Sequence, residues 1–168
     1  PIYIGRERSL KLINELDPKK RYIVVVAQED GSIEDPKPED LYSYGTLAQV
    51  LKVFDMPDNS KSAIVQGISR VKIMEYLSYD PYFSAAVASM EDKPIDDSLE
   101  VEALANNLRQ SFEDLMKVAP NLTEEHSGML KNIQKPNRLT DRAISVITIS
   151  NQEKQEILEE LDIKTRIE

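Results

Sequence analysis

Cysteine and tryptophan are absent from the 168 residues, and histidine occurs once. Without cysteine there is no disulfide framework, no thiolate metal site and no thiol nucleophile, and nothing marks an oxidising compartment. With His126 alone, a Ser-His-Asp arrangement has little material, and a zinc site would draw nearly all its ligands from carboxylates. A serine–lysine dyad is compatible with the composition, yet no surrounding residues single one out. The five glycines, Gly5, Gly31, Gly45, Gly67 and Gly128, are too dispersed for a phosphate-cradling loop, so no nucleotide site or other cofactor site is expected in this chain. No apolar run approaches the length that crosses a bilayer, and the opening Pro1-Ile2-Tyr3-Ile4-Gly5 has no basic segment followed by an apolar one. The reading is a cytoplasmic chain without membrane attachment, metal or catalytic residues.

Charge of positive sign is also short: 21 basic against 30 acidic residues give a net charge of −9. A chain so charged repels a phosphate backbone unless its cations are concentrated, and Lys19-Lys20-Arg21, which lacks interleaved aromatics, reads as a solvated turn. Nucleic acid is therefore not an expected partner. The acidic pairs Glu29-Asp30, Glu34-Asp35 and Glu39-Asp40 lack the alternating ligand spacing of a calcium loop and are stiffened by Pro36 and Pro38, so they read as a solvated loop.

What is present is patterning with two periods, and the expected fold class is α+β. Residues 1–91 read as a β-rich lobe, 92–97 as a linker and 98–168 as a helical bundle. In the first lobe Tyr22 to Gln28 is a β-branched run, Tyr44 to Phe54 and Ser62 to Met74 flank a turn at 56–61, and Phe83 to Met90 is a further strand. One helix, from about Arg6 to Leu16, places Leu10, Ile13 and Leu16 inward. Beyond the linker, Asp97 with Glu100 resembles a capping box, and Val101, Leu104, Leu108, Phe112 and Leu115 share a face. Pro120 stops that helix, Thr123 caps the next, and Pro136 opens a third with Leu139, Ala143, Val146 and Ile147 on one side. Ser150 with Glu153 is a second capping box, ahead of inward Ile157, Leu158 and Leu161.

Particular strings carry a resemblance. Gly5-Arg6-Glu7-Arg8-Ser9, Val24 to Gln28, Asp35-Pro36-Lys37-Pro38-Glu39-Asp40-Leu41-Tyr42, Gly45-Thr46-Leu47-Ala48-Gln49-Val50, Gln66-Gly67-Ile68-Ser69-Arg70-Val71 and Glu153 to Leu158 come in the order and spacing of the N-terminal domain of bacterial Lon-type ATP-dependent proteases. The chain resembles that family over nearly its whole length. The family's hairpin usually carries Asp-Gly where Asp58-Asn59 stands here, a substitution compatible with left-handed dihedrals. The motif residues Gly5, Arg6, Asp35, Pro36, Asp40, Leu41, Gly45, Thr46, Gly67 and Arg70 read as structural: glycines for backbone geometry at strand ends, Asp35-Pro36 for a turn, Arg6 and Arg70 for ion pairs or carbonyls.

The resemblance implies a PUA-like β lobe followed by a helical bundle, an apolar strand ahead of the position of Pro1, and a helix after Asp162 that runs on as a long arm. It also implies a substrate-recognition and assembly role in a homo-hexameric serine protease of the quality-control type. ATP, Mg²⁺ and the Ser-Lys dyad would then belong to later domains, and unfolded or damaged proteins would be the partners. A free-standing adaptor or ligand-binding module is the alternative, with a PUA-like RNA binder behind it. Weak capture of unfolded segments needs an adaptable apolar surface, for which Ile64, on the face of Ser62 and Gln66, and Met56 at the turn are candidates. The outer side of the first helix, with Glu7, Arg8 and Lys11, is a second candidate contact surface.

Overall fold

A computed structural model describes residues 1–95 and 98–168. The expected pairing of Asp97 with Glu100 lies in part outside the described residues. The chain divides into two compact units, Pro1–Glu91 and Asp92–Glu168. With its five-stranded antiparallel sheet and its helices, the fold is α+β.

In the first unit β1 (Ile2–Ile4) leads to α1 (Glu7–Glu15), then β2 (Tyr22–Gln28), a single 3₁₀ turn at Pro38–Asp40, β3 (Leu41–Asp55), β4 (Lys61–Ser78) and β5 (Ser84–Met90). The order across the sheet is β1-β4-β3-β2, with β5 also paired to β4. Thus β4 holds β3 on one side, and β1 (at 61–63) and β5 (at 70–78) on the other. Residues such as Ile4, Val50 and Ala63 face α1's Ile13 in a core completed by Ile2, Leu10, Leu16, Ile23, Val53 and Val65. Leu10, Ile13 and Leu16 do turn inward, as the 3.6 period requires.

Register shifts interrupt the two long strands. Val50 pairs with Val65 and Lys52 with Ile64, so Leu51 is an extra residue in β3. Ile68, Met74 and Leu77 are extra residues in β4, opposite Leu47/Ala48 of β3 and along the pairing with β5. A bulge leaves its residue outside the alternation, and all four of these apolar side chains are about half exposed or more, from Leu51 at 49% to Met74 and Leu77 at 63%.

Gly45 serves space more than dihedrals, which corrects the expectation of strand-end geometry. No glycine has positive φ, and Gly45 lies within β3, where a Cβ would stand 2.6 Å from the Val25 carbonyl oxygen and 2.7 Å from Val26 Cγ2. Only a hydrogen fits there. The left-handed residue is Asn59, with φ 63°, in the turn between β3 and β4.

The second unit contains α2 (Ser98–Met116), α3 (Glu124–Lys131), α4 (Pro136–Val146), α5 (Asn151–Glu159) and α6 (Ile163–Ile167). Its core is Ala105, Phe112, Leu122, Leu130, Leu139 and Ala143. On α2 the stripe holds for Val101 and Phe112, but Leu115 is 39% exposed and Ala105 takes a core place instead. The correction follows from 3.6 residues per turn: a face set by Val101, Ala105 and Phe112 drifts away from position 115. Pro136 occupies the first turn of α4, and Ser150 Oγ accepts the Glu153 N–H while the Glu153 carboxylate accepts the Ser150 N–H at 2.8 Å. His126 acts as a capping residue too, its Nδ1 accepting the Thr123 N–H at 3.1 Å.

Asp92 and Lys93 are held within this unit. The buried Arg166 donates to the Asp92 carboxylate, whose other oxygen accepts from Asn137 Nδ2 at 2.9 Å; Arg166 Nε donates to the Glu160 carbonyl at 2.8 Å. The Lys93 N–H donates to the Leu161 carbonyl at 2.8 Å.

Two expectations follow. Leu139 is fully buried, so Leu139→Ala removes its contacts and leaves a void, and should lower stability by about 2–5 kcal/mol in chemical denaturation. In the other unit β2 pairs, among the described residues, only with β3, and Tyr22 and Val25 on it are 50% and 36% exposed. An open edge of this kind recruits other strands. Sedimentation at high concentration should show self-association that Val25→Lys reduces, with the melting temperature nearly unchanged.

Candidate contact surface

The pairing registers assemble one apolar surface from three strands. Tyr3 pairs with Ser62, which pairs with Phe54; one step along, Ile64 pairs with Lys52. Residues two apart on a strand share a face, so Tyr3, Phe54, Lys52, Ser62 and Ile64 stand on the side opposite the row Ile2, Ala63, Val53, which packs into the core. The bulged Leu51 and the turn residue Met56 extend this surface. Tyr3 is 65% exposed, Phe54 and Met56 40% each. Ile64 lies on the face inferred from alternation but is half-buried, so it is a floor for its neighbours more than a protruding contact.

A rigid turn carries the surface. The Met56 N–H donates to the Ser60 carbonyl at 2.9 Å and the Asn59 N–H to the Met56 carbonyl at 3.1 Å. Asp58 gathers the rest: one oxygen accepts the Ser60 hydroxyl and, at 3.1 Å, the Ser60 N–H, and the other accepts the Tyr3 hydroxyl at 2.9 Å. Those bonds, the Ser60 hydroxyl foremost, hold the Asp58 carboxyl below its ordinary pKa. Asp55 is paired with Lys61 across the start of the hairpin, and Lys52 Nζ stands 4.7 Å from the centre of the Phe54 ring.

The outer side of α1 carries the expected Glu7–Lys11 pair, while Arg8 is turned to partners within the unit. Glu7 and Lys11 form the i,i+4 pair at 2.8 Å, both well exposed, and the hydrogen bond from Lys11 lowers the Glu7 pKa. Arg8 is engaged within the unit: Nη1 donates to the Tyr79 carbonyl at 3.2 Å, Nε is 3.5 Å from Asp35, and the guanidinium stacks 5.2 Å from the centre of the Phe83 ring. It ties α1 to the loop after β2 and to the β4–β5 connection. Beside it lies a groove of about 940 Å³ lined in part by Val24, Val26, Ile73, Tyr76 and Phe83.

The motif residues take structural positions. Arg6 donates to the Gln28 side chain and to the Ile33 carbonyl, and Asp40 accepts the Lys37 N–H at 2.8 Å to close the 3₁₀ turn ahead of Leu41. Pro36 is half-buried beside Asp35, Thr46 pairs with Val25 and Arg70, and Gly67 pairs with Ala48 next to the bulge at Ile68. Gly5 lies against Tyr3, whose ring would meet an added Cβ at 3.0 Å. Sequence reasoning missed Tyr3, Leu51 and Phe54. Tyr3 and Phe54 share rows with Ser62 that only the register reveals, and Leu51 protrudes because a bulge breaks the period. Among the described residues no helix is long and apolar enough to cross a membrane, and no group of three or more His, Asp or Glu is placed to hold a metal ion.

Comparison with known proteins agrees along the whole chain. A family model described as the ATP-dependent protease La (LON) substrate-binding domain matches residues 1–168. The Lon protease of Koribacter versatilis is 39% identical over 169 residues, covering 100% of this chain and 21% of that protein. The Lon protease of Anaeromyxobacter dehalogenans is 33% identical over 167 residues, covering 99% and 20%. The chain thus spans about a fifth of the length of these curated relatives. Its fold is similar to the N-terminal domain of Mycobacterium avium complex Lon protease (TM-score 0.66, 18% identity, 86% of each chain). It is also similar to the Lon N-terminal domain protein from Xanthomonas campestris (TM-score 0.65, 16% identity, 99% of this chain and 83% of that one).

The turn makes a pH prediction. A carboxyl whose pKa is lowered by folding stabilises the fold above its unfolded pKa, near 3.8, and that contribution is lost as pH falls through the lower folded value. The melting temperature of the wild type should therefore fall more steeply on acidification below about pH 4 than that of Asp58→Asn, with the two curves parallel above about pH 5.

Proposed function

Since the chain belongs to the family of Lon (protease La) substrate-binding domains, we propose that it captures unfolded or damaged proteins for an ATP-dependent serine protease, through the face of Tyr3, Leu51, Phe54 and Met56. The observation that carries this reading is the combination of exposed apolar side chains with a turn fixed by Asp58 and Asn59. Exposed apolar groups attract unfolded segments without a sequence code, and the flexible thioether of Met56 adapts to different partners. The fixed backbone beneath them keeps the surface from collapsing inward.

On this reading the chain itself neither hydrolyses ATP nor cleaves peptide bonds. Those activities belong to further domains of the parent protein, where ATP, Mg²⁺ and a Ser-Lys dyad act, within a cytoplasmic homo-hexamer that removes misfolded and regulatory proteins. The outer side of α1, with Glu7 and Lys11, is left as a surface for assembly.

The test is binding of a permanently unfolded protein to the isolated chain, measured by fluorescence anisotropy. Phe54→Ser with Met56→Ser removes two partly exposed apolar side chains, together worth about 1–2 kcal/mol of contact, and should weaken binding about tenfold. The melting temperature should shift by no more than about 3 °C, because neither side chain belongs to the buried core. Unchanged binding, or a large loss of stability, would refute the assignment of this face.

A further inference from the structure

The charges on this face are unequally satisfied. Asp55 is paired with Lys61, and Asp58 accepts from Tyr3 and Ser60, so both carboxylates at the hairpin are occupied from within. Lys52, exposed three residues before Asp55 on β3, makes no ion pair among the described residues; its ammonium rests over the Phe54 ring of the apolar surface. An ammonium on an aromatic face keeps N–H donors directed outward to a further acceptor. Ile64, directly across the strand pair, supplies the apolar neighbour.

From this arrangement we infer that Lys52 is a specificity-determining residue that selects, among unfolded segments, those in which apolar or aromatic residues are adjoined by a carboxylate. The inference rests on the contact face proposed above and adds the class of segment that the face prefers. The overall charge of −9 acts in the opposite direction, but it is spread over the chain. At physiological salt, charges more than about 8 Å apart are largely screened, so a cation in direct contact with the bound segment outweighs the distant field. A single exposed pair supports a modest preference of about two- to fivefold, not an absolute one.

Three peptides with one apolar-aromatic core, flanked by Glu, Gln or Lys, distinguish the possibilities when titrated against the full chain by fluorescence anisotropy. At 0.15 M salt the Glu peptide should bind about two- to fivefold more tightly than the Lys peptide, with Gln between them, and the spread should narrow at 0.5 M salt. Lys52→Gln should level the three, and Lys52→Glu should invert their order. Binding that ignores flank charge, or an order indifferent to both substitutions, overturns the role of Lys52 and leaves the face standing. Failure of all three peptides to bind the wild type overturns the face and this inference together.

Discussion

The first unit depends on the backbone of β4. This single strand of 18 residues satisfies β3 along one side and divides its other side between β1 and β5. A strand serving three neighbours cannot stay straight, since each pair brings its own twist. The extra residues at Ile68, Met74 and Leu77 release that conflict. Each bulge also reverses which side chains face the core, so the apolar residues at those positions are left outside without any failure of core packing. The same logic at Leu51 in β3 widens the surface around Phe54. Exposure of these bulged apolar groups is a product of strand geometry, and Leu51 among them lies on the proposed contact face.

The second unit solves a different problem. Among the described residues it has no sheet to fix its register, and its last helix, α6, has only five residues. A helix that short is unstable alone, so tertiary contacts must hold it. Arg166 does so by joining Asp92 and the Glu160 carbonyl, with Asn137 holding the second oxygen of Asp92. Burying an ion pair adds little net stability, because desolvation offsets the attraction. What it adds is uniqueness: with one partner misplaced, a charge is left buried and unpaired, which disfavours every alternative docking of α6. Lys164, paired with Glu100 at 2.7 Å, ties the same helix to α2 in a solvated setting.

Periodicity made the element types legible in the sequence, and the resemblance of ordered strings between Gly5 and Leu158 pointed to the family. β-branched alternation located the strands, and Thr123, the pair Ser150/Glu153 and Pro136 located helix starts, because caps act within four residues and need no tertiary information. Side-chain alternation also placed Ile64 on its face. The reach of Arg8 to Tyr79, Phe83 and Asp35 was not legible, since those partners are 27 to 75 positions away and helical periodicity reports only that Arg8 is off the apolar stripe. Bulges were illegible for a related reason: they arise from competition between neighbours of β4, which no single strand encodes. Gly67 beside Ile68 was the one local hint, as glycine inside a strand often marks a bulge. Gly45 shows the same limit from the other direction. Its reason is the approach of Val25 and Val26 from β2, not its own dihedral angles.

The size of the contact face bears on how it can work. Its four protruding side chains are 40% to 65% exposed, so even complete coverage would contribute only a few kcal/mol. Association of two molecules opposes this with a loss of translational and rotational freedom of at least about 4 kcal/mol. On the proposed reading one such face would hold a segment weakly and release it quickly, as a surface that hands its partner on requires. In the proposed hexamer six faces would share one unfolded chain, and after the first contact each further one becomes intramolecular. Effective concentrations in the millimolar range can then raise the overall affinity by two to four orders of magnitude without any new contact. Natively folded proteins, which rarely present several exposed apolar segments at once, would engage one face at a time and escape. Under that proposal, discrimination between folded and unfolded partners would follow from the number of contacts made together, and the weakness of each face would be the condition for it.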